Sequence, residues 1–269
     1  MKTSVVSKEY QQLQKQIINL QEQWKNSLNP ERVTATIDKA ALAAGVPAAA
    51  LADIHFDIPL FLQWIDEVSR VLAKHNPGLE DQLGSLRNLL NEDLAALWID
   101  EALALNHVYF AEFAEANQLD EWVPQFVAET ASCPYLQLVA ETVQEKIHFA
   151  VPGAGCPVCG EPVRLAQLEG EGQKVVHCPR CLVHWNDKRL TCSHCGNDDH
   201  KTIEFLTVEG DAASQIQVCG ECNGYTKIID TRQFISKQSP GMLDLTTIHL
   251  DFVAQENGYR AAAEKKIIN

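Results

Sequence analysis

Eight of the nine cysteines in this chain form four Cys-x-x-Cys pairs, and all four pairs lie between residues 156 and 222. Stretches of 18, 10 and 23 residues separate successive pairs. A Cys-x-x-Cys turn places two sulfurs on one side of a tight loop, and two facing turns surround a metal ion with a tetrahedron of sulfur. The spacing therefore predicts two four-cysteine metal sites. The predicted ligands are Cys156, Cys159, Cys178, Cys181, Cys192, Cys195, Cys219 and Cys222.

The residues around these cysteines indicate turns of the kind found in rubredoxin and zinc ribbons. Gly160 and Gly196 each follow the second cysteine of a pair, where a positive φ lets backbone amides face the thiolates. The region reads as a tandem repeat of 36 residues, from Cys156 to Cys192. Sequential pairing, with the first two turns around one metal, is favoured because each segment then closes its own hairpin. A cross-braced pairing, with the first turn joined to the third, stays open.

Two metal ions are the expected cofactors, and tetrahedral sulfur suits both zinc and rubredoxin-type iron. A closed set of four thiolates leaves no open position for a substrate. A structural role is therefore favoured over a redox role. Each structural zinc would supply on the order of 10 kcal/mol of folding free energy.

Other side chains of the region are predicted to support the sites rather than to bind metal. The four histidines of the region could replace a cysteine ligand, but because eight thiolates already complete two sites they are expected to face solvent or to lie beside the ligands; they are His177, His184, His194 and His200. Trp185 and Tyr225 are expected to pack over the small ribbons, since no basic residues interleave with them. Cys133 lies in a predicted helix and is expected to be a small buried apolar residue.

Charge and hydropathy argue against several classes of partner. The chain has 22 basic and 36 acidic residues, a net charge of −14, which disfavours nucleic acids and anionic membrane surfaces. No stretch approaches the roughly 18 consecutive apolar residues of a membrane-spanning helix. The polar N-terminus does not read as a secretory signal. Together with the grouped cysteines, this pattern predicts metal ligation in the reducing cytoplasm.

The sequence changes character at 151–155, where glycine, cysteine and β-branched residues replace a pattern rich in Ala, Leu, Glu and Gln. The predicted fold class is α+β: an all-α N-terminal helical bundle, two tandem rubredoxin-like or zinc-ribbon metal-binding subdomains, and a C-terminal helix. The expected domains are 1–150 for the helical bundle, 151–191 and 192–240 for the first and second metal subdomains, and 241–269 for the C-terminal helix and tail. The first 150 residues carry a net charge of −11, which favours a solubilising surface; a docking surface for a basic segment stays open as the alternative.

Hydrophobic periodicity and helix-capping residues predict the individual elements. The predicted helices run from Tyr10 to Leu28, from near Glu31, from Asp57 to Asn76, through Leu83 and Leu90, from Leu94 to Phe113, from Trp122 to Phe149 and from Met242 to Glu256. The predicted strands cover 174–177, 202–208, 215–218 and 225–230.

Several motifs of this region are similar to those of a known family. They are Gly155–Val163, His177–Cys181, Val183–Trp185, Leu190–Cys195 and Cys219–Lys227, with Asp244-Leu245, Leu250-Asp251 and Gly258-Tyr259-Arg260 in the tail. Through these motifs the chain closely resembles the FdhE family of formate dehydrogenase accessory proteins. The clear match covers about residues 150–260. The helical half is similar to the family in its helical character and in fragments such as 53–55 and 124–127.

The resemblance implies a cytoplasmic maturation factor that binds the catalytic subunit of a molybdenum- or tungsten-dependent formate dehydrogenase and helps it become active. It implies that the eight cysteines occupy the family's metal-ligand positions one for one, and it associates those positions with rubredoxin-type iron. The sequence contains no Gly-rich phosphate loop, nucleophile elbow or Glu-flanked histidine pair. The chain is therefore predicted not to be an enzyme.

Two other functions stay open at this point. A rubredoxin-like redox protein could reduce or protect an oxygen-sensitive client, since Cys-x-x-Cys thiols often have depressed pKa values. A nucleic-acid-binding zinc ribbon ranks third. Between Gly160 and Glu204, six basic residues stand beside seven acidic ones, so no electropositive stripe is present.

Overall fold

The computed structural model describes residues 5–236 and 238–261. Its helices are α1 (Lys8–Ser27), α2 (Lys39–Ala43), α3 (Ile58–His75), α4 (Glu80–Leu89), α5 (Glu92–Leu103), α6 (His107–Ala116), α7 (Trp122–Val143), α8 (Pro240–Thr246) and α9 (Ile248–Glu256). Its strands are β1 (Val33–Thr34), β2 (Asp53–Ile54), β3 (Leu165–Glu169), β4 (Gln173–His177), β5 (His184–Asp187), β6 (Ile203–Thr207), β7 (Ser214–Cys219) and β8 (Tyr225–Asp230). N-terminal helices, two cysteine clusters and C-terminal helices confirm the predicted α+β fold class.

The N-terminal helices pack through the apolar faces that their periodicity predicts. In α1 the buried side chains are Leu13, Ile17 and Trp24. The Trp24 ring stacks on Trp64 of α3, with ring centroids 5.1 Å apart, and its indole N–H donates to Glu67 at 2.7 Å. The indole thus buries a large apolar surface while its one polar atom keeps a partner.

Helix α3 begins where the sequence predicts. The side chain of Asp57 accepts a hydrogen bond from the amide of Leu60 at 3.1 Å, which satisfies one of the free N–H groups of the first turn. Pro59 occupies that turn, where its missing N–H costs nothing. The helix ends at His75, and Asn76 is its C-terminal cap.

The helix predicted near Glu31 is wrong. Pro30–Arg32 forms a 3-10 turn capped by the side chain of Asn29, and Val33–Thr34 then pairs with Asp53–Ile54 as a short antiparallel ribbon. The β-branched residues favour the extended chain. A helix starts only at Lys39, where Asp38 caps the amides of two following residues.

The single helix predicted from Leu94 to Phe113 is two helices. Leu105 adopts a φ of +56°, which ends α5, and the side chain of Asn106 caps α6 by accepting from the amide of Tyr109 at 3.2 Å. The apolar periodicity continues across the break and hides it. Similarly, α7 ends at Val143 and is followed by a 3-10 turn at Gln144–Lys146, so the predicted extension to Phe149 is wrong.

The chain divides into two compact units. One unit contains Lys8–Ala35 and Ala49–Val139, and the other contains Thr36–Ala48, residues 5–7 and the described chain from Ala140 onward. The second unit holds all eight paired cysteines. The domain boundaries expected at residues 150, 191 and 240 stay predictions.

One six-stranded sheet organises the cysteine-rich unit, in the order β5-β4-β3-β8-β7-β6. Neighbours within each half are antiparallel. At the centre β3 pairs with β8 in parallel, from Leu165 beside Lys227 to Leu168 beside Asp230. The strands β3 and β5 were not predicted. Each cysteine segment thus contributes three strands to a shared sheet.

The two halves of this sheet are related by translation rather than by a two-fold axis. Across the sheet, each half runs from the third strand of its segment to the first: β5, β4, β3 in one half and β8, β7, β6 in the other. The first strand of one segment, β3, therefore lies beside the third strand of the other, β8. This is the arrangement of a tandem repeat placed side by side. The repeat that the cysteine spacing indicates is therefore also present in the strand order.

Two C-terminal helices pack on the sheet. The sequence predicts one helix from Met242 to Glu256, but the chain breaks at Thr247, whose hydroxyl donates to the carbonyl of Leu243 at 2.6 Å. The buried cluster beneath α8 and α9 consists of Leu165, Ile216, Val218, Tyr225, Ile229, Leu243, Leu250 and Ala254. Sheet and helices therefore share one core.

Candidate metal centre

The four Cys-x-x-Cys turns have the same backbone geometry. In each turn the amide of the first cysteine donates to the carbonyl five residues later at 2.8–3.0 Å, and its carbonyl accepts from the amide four residues later at 2.9–3.1 Å. In three of the turns the amide two residues after a cysteine also donates to its sulfur at 3.4 Å; the sulfurs are those of Cys156, Cys192 and Cys222. These amides stabilise negative charge on the sulfur.

The residue after each second cysteine adopts a positive φ. The prediction is confirmed for Gly160 and Gly196, with φ of +75° and +76°. The same conformation occurs in the other two turns at Leu182, with φ of +68°, and at Asn223, with φ of +56°. Asparagine tolerates this region, whereas leucine is strained there. The turn geometry is therefore common to all four turns, even where the sequence lacks glycine.

The first cluster contains Cys156, Cys159, Cys178 and Cys181. The sulfurs of Cys156 and Cys181 lie 3.6 Å apart, and those of Cys159 and Cys178 lie 3.5 Å apart. A zinc or iron ion with about 2.3 Å metal–sulfur bonds needs tetrahedral edges of about 3.8 Å. The four sulfurs therefore fit a tetrahedral ion.

The second cluster contains Cys192, Cys195, Cys219 and Cys222. Its sulfur separations are 3.7 Å between Cys192 and Cys222 and 3.8 Å between Cys195 and Cys219. The structure thus groups the turns sequentially, and it does not show the cross-braced alternative. That these eight residues bind metal stays a prediction, which the sulfur geometry supports.

The two clusters differ in exposure. All four cysteines of the first cluster are buried, whereas Cys195 and Cys222 of the second are exposed. The two exposed cysteines of the second cluster come one from each of its turns. Solvent and solutes can therefore reach the second cluster directly.

A buried cation lies beside the first cluster. It is Arg180, within the turn from Cys178 to Cys181. Burial alone would raise the pKa of Cys159, but hydrogen bonds from the other three thiols and the charge of Arg180 lower it well below the ordinary value. Four thiolates around a divalent ion carry a net charge of about −2, which a buried guanidinium partly offsets.

In the second cluster, Cys219 has the depressed pKa. Burial acts to raise it, but hydrogen bonds from the Cys222 backbone amide and the side chain of Asn197 bring the pKa to about 7. The Asn197 amide nitrogen lies 3.5 Å from the Cys219 sulfur. Burial raises the pKa of Cys192 instead. The turns thus favour thiolate unequally across the cluster.

None of the four histidines belongs to either sulfur cluster among the residues that the structure describes. His194 makes contacts at 2.7 Å with the carbonyl of Tyr225 and at 3.0 Å with the hydroxyl of Thr226. His177 contacts Glu169 at 2.8 Å and stacks on His184. His200 is exposed. The histidines therefore lie beside the clusters or in solvent, as the sequence predicts.

The residues expected to pack are buried. Trp185 and Tyr225 are 5% and 3% exposed, and Cys133 lies buried within α7. Tyr225 also donates from its hydroxyl to Asp251 at 2.9 Å. The aromatic rings of this region therefore belong to the protein interior.

Sequence reasoning missed two buried lysines. The ammonium of Lys227 contacts Asp244 at 2.8 Å and Asp251 at 2.7 Å, so the two tail aspartates anchor α8 and α9 to β8. The ammonium of Lys174 contacts Asp187 at 3.0 Å and Ser193, inside a turn of the second cluster, at 2.9 Å. A lysine in a strand ordinarily indicates a solvent face. The acidic residues of the tail are the one available signal for Lys227.

The other tail residues that carry the resemblance also lie beside the cysteine turns. The amide of Arg260 donates to the carbonyl of Asn223 at 2.7 Å, within a parallel bridge between Gly224 and Arg260. Tyr259 packs against the core beneath the C-terminal helices. The tail thus returns to the turn that carries Cys222.

Comparisons with known proteins extend these observations. A family model described as "FdhE, C-terminal domain" matches residues 190–268. The protein FdhE homolog of Aquifex aeolicus is 25% identical over 229 residues, which covers 82% of this chain and 74% of that relative. The homolog of Shewanella sp. strain MR-4 is 25% identical over 88% of this chain and 77% of the relative. The homolog of Shewanella baltica strain OS185 is 35% identical over 39% of this chain and 36% of the relative.

A solved structure has the same fold. The crystal structure of the FdhE protein from Pseudomonas aeruginosa matches with a TM-score of 0.64 and 20% sequence identity, over 91% of this chain and 84% of that chain. The alignments with the Aquifex and MR-4 homologs extend well beyond the cysteine region. The resemblance predicted from the cysteine turns is thus confirmed. Among the described residues, the structure contains no apolar helix of membrane-spanning length.

Proposed function

We propose that this chain, which is similar to FdhE homologs in sequence and to an FdhE protein in fold, is a cytoplasmic accessory protein that binds the catalytic subunit of a molybdenum or tungsten formate dehydrogenase. In this proposal it assists the maturation of that subunit and catalyses no reaction of its own. The observation that carries the proposal is the pair of four-cysteine clusters on one sheet, in a chain similar to FdhE homologs over most of its length.

The geometry favours a binding role over substrate chemistry. Four thiolates complete a tetrahedral set and leave no free metal position for a substrate. A metal ion in each cluster would supply folding free energy by fixing two turns at once. The eight cysteines would hold the two ions, and the sheet would present a fixed surface to the client.

Binding and maturation can be tested together. The purified, metal-loaded protein should form a complex with the isolated formate dehydrogenase catalytic subunit in analytical gel filtration. Deletion of the gene should lower formate oxidation in cell extracts, and re-expression of the chain should restore it. A protein that fails to bind the subunit, in cells whose formate oxidation survives the deletion, contradicts the proposal.

The exposed cysteines of the second cluster favour one alternative. A rubredoxin-like iron at Cys195 and Cys222 would exchange electrons with a docked client, because electron transfer needs a short path from metal to surface. The ferric ion would take one electron from a cellular reductant and pass it to the client. An iron-loaded protein whose ferric-thiolate absorption bleaches reversibly with dithionite supports this role. A protein that takes up only zinc in iron-supplied cells excludes it.

A further inference from the structure

A polar cleft lies in the cysteine-rich unit at the strand ends remote from the cysteine turns. Its volume is about 490 Å³. It is lined by the ends of β3 and β8 and by the loop between β6 and β7, whereas the cysteine turns precede β3 and β6 and follow β4 and β7. The cleft is therefore distinct from both clusters.

The first basic residue of the cleft is Arg189, and buried polar groups hold the turn that carries it. The carbonyl of Arg189 accepts from the side chain of Gln217 at 3.1 Å. The carbonyl of Thr191 accepts from the ammonium of Lys174 at 3.0 Å, and Lys174 donates to Gln217 at 2.7 Å. Lys174 and Gln217 are 1% and 3% exposed. This network fixes the backbone beneath the Arg189 side chain.

The second basic residue is Arg232, which follows β8. Its Nε and one terminal nitrogen donate to the two oxygens of Asp230 at 2.7 and 2.8 Å. This two-point contact orients the guanidinium plane. Among the residues that the structure describes, none forms a hydrogen bond with the other terminal nitrogen.

The two guanidinium groups converge on one place. A Cβ atom added to Gly172 would lie 3.0 Å from a terminal nitrogen of Arg232 and 3.9 Å from one of Arg189. The φ of Gly172 is +99°, so this position also suits glycine for its backbone. Both terminal nitrogens therefore lie within 4 Å of one point, and an anion placed near that point would interact with both groups.

The cleft lining carries two arginines and two aspartates. Asp230 pairs with Arg232, and Asp211 lies 3.2 Å from His249. Within the described part of the chain, the Arg189 guanidinium has no hydrogen bond or ion pair. The remaining lining leaves room because its side chains are short; these residues include Gly210, Ala212, Ala213 and Ser214.

We propose that this cleft binds the phosphate group of a small phosphorylated molecule. Arg189 and the free terminal nitrogen of Arg232 would donate to phosphate oxygens, the geometry for which paired guanidinium groups are suited. A cleft of about 490 Å³ falls in the range of small-ligand sites and accepts a ligand of nucleotide size. The proposed phosphate site contains none of the eight paired cysteines, and it does not depend on which client the protein binds.

The full, metal-loaded chain is titrated with pyrophosphate at constant ionic strength, and binding is measured by isothermal titration calorimetry. We expect saturable binding of one pyrophosphate per chain. Arg189→Ala should weaken it at least about tenfold, the usual effect of losing a charge-assisted hydrogen bond. Lys188→Ala removes a neighbouring exposed cation that does not line the cleft, and it should leave the affinity unchanged.

A second variant tests the same cleft in another way. Ala212→Asp places a carboxylate inside the cleft and should abolish binding, while an unchanged metal content and melting temperature would show that the fold is intact. Titrations with inorganic phosphate, ADP and malonate distinguish a phosphate site from a general anion site and from a nucleotide site. Three results overturn the proposal: no saturable binding, equal losses in the Arg189 and Lys188 variants, or malonate binding as tightly as pyrophosphate.

Discussion

The two cysteine clusters have the same turns and nearly the same sulfur separations, yet they lie in different surroundings. In the first cluster every cysteine is buried and the neighbouring cation, Arg180, belongs to one of its own turns. In the second cluster two cysteines are exposed, and the neighbouring cation, Lys174, comes from the other repeat. The comparison shows that one local motif can support a closed site or an accessible site, depending on what packs around it.

The largest effect is expected from replacing the second cysteine of the first turn in each cluster, which is Cys159 in the first cluster and Cys195 in the second. Cys159→Ala should expel the metal from the first cluster and lower the free energy of unfolding by on the order of 10 kcal/mol. Cys195→Ala should be milder, because water can occupy the vacated position of the open cluster. Metal per chain after gel filtration and urea unfolding measure both. Equal losses in the two variants would show that exposure does not distinguish the clusters.

A smaller effect is expected at the buried lysine that supports the second cluster. Lys174→Met leaves Asp187 and Gln217 without their cation, and we expect a loss of about 3 kcal/mol in unfolding free energy. The second cluster should lose metal to a chelator faster than in the wild type, while the first should be unchanged. Lys188→Met, at an exposed neighbour, is the control and should change neither quantity. Faster release from both clusters would mean that Lys174 supports the whole sheet.

Metal release should separate the clusters without any mutation. With both sites loaded with zinc, a chromophoric chelator should remove one equivalent per chain at least about tenfold faster than the other, since ligand exchange needs access to the metal. Brief alkylation followed by peptide mass spectrometry should label Cys195 and Cys222 before the cysteines of the first cluster. A single kinetic phase of two equivalents would contradict the assignment of an open and a closed site.

The smallest effect is expected at the residues with positive φ. Leu182→Gly should stabilise the protein by about 0.5–1 kcal/mol, because relief of left-handed strain outweighs the added freedom of the unfolded chain. Asn223→Gly, in the equivalent position of the second cluster, should have almost no effect, since asparagine tolerates that conformation. Thermal unfolding of the two variants measures the difference. Destabilisation by Leu182→Gly would show that the leucine side chain makes contacts that exceed its strain.

Local features of this protein could be predicted from the sequence, and pairings between distant segments could not. Cys-x-x-Cys spacing indicates each turn because both sulfurs lie within one loop, and Asp57 indicates the start of α3 because its cap bond spans three residues. The parallel pairing of β3 with β8 joins segments some 60 residues apart, and no local pattern encodes it. The strand β3 is buried along nearly all of its length, so it lacks the alternation that marks a half-exposed strand.

The same distinction between local patterns and distant contacts applies to the candidate metal centre. The ligand residues follow from spacing, but the contrast in burial between Cys159 and Cys195 depends on what packs around each turn. Lys174 and Lys227 could not be predicted as buried, because a lysine is ordinarily exposed unless distant acidic groups receive it. The left-handed turn at Leu182 carries no glycine signal, and only the repetition of the motif indicates it.

The translational order of the sheet has a consequence for assembly and descent. In a two-fold arrangement, equivalent strands of the two segments would pair with each other. Here the two edge strands, β5 and β6, are not equivalent. They are the third strand of one segment and the first strand of the other, the same combination that pairs at the centre of the sheet. A further duplicated segment could be added at either end by the pairing already in use, as in proteins built from stacked repeats. Two copies of the chain could meet in the same way, head to tail and without closure. The four-residue length of β5 and the charged Glu204 in β6 would disfavour pairing at these edges.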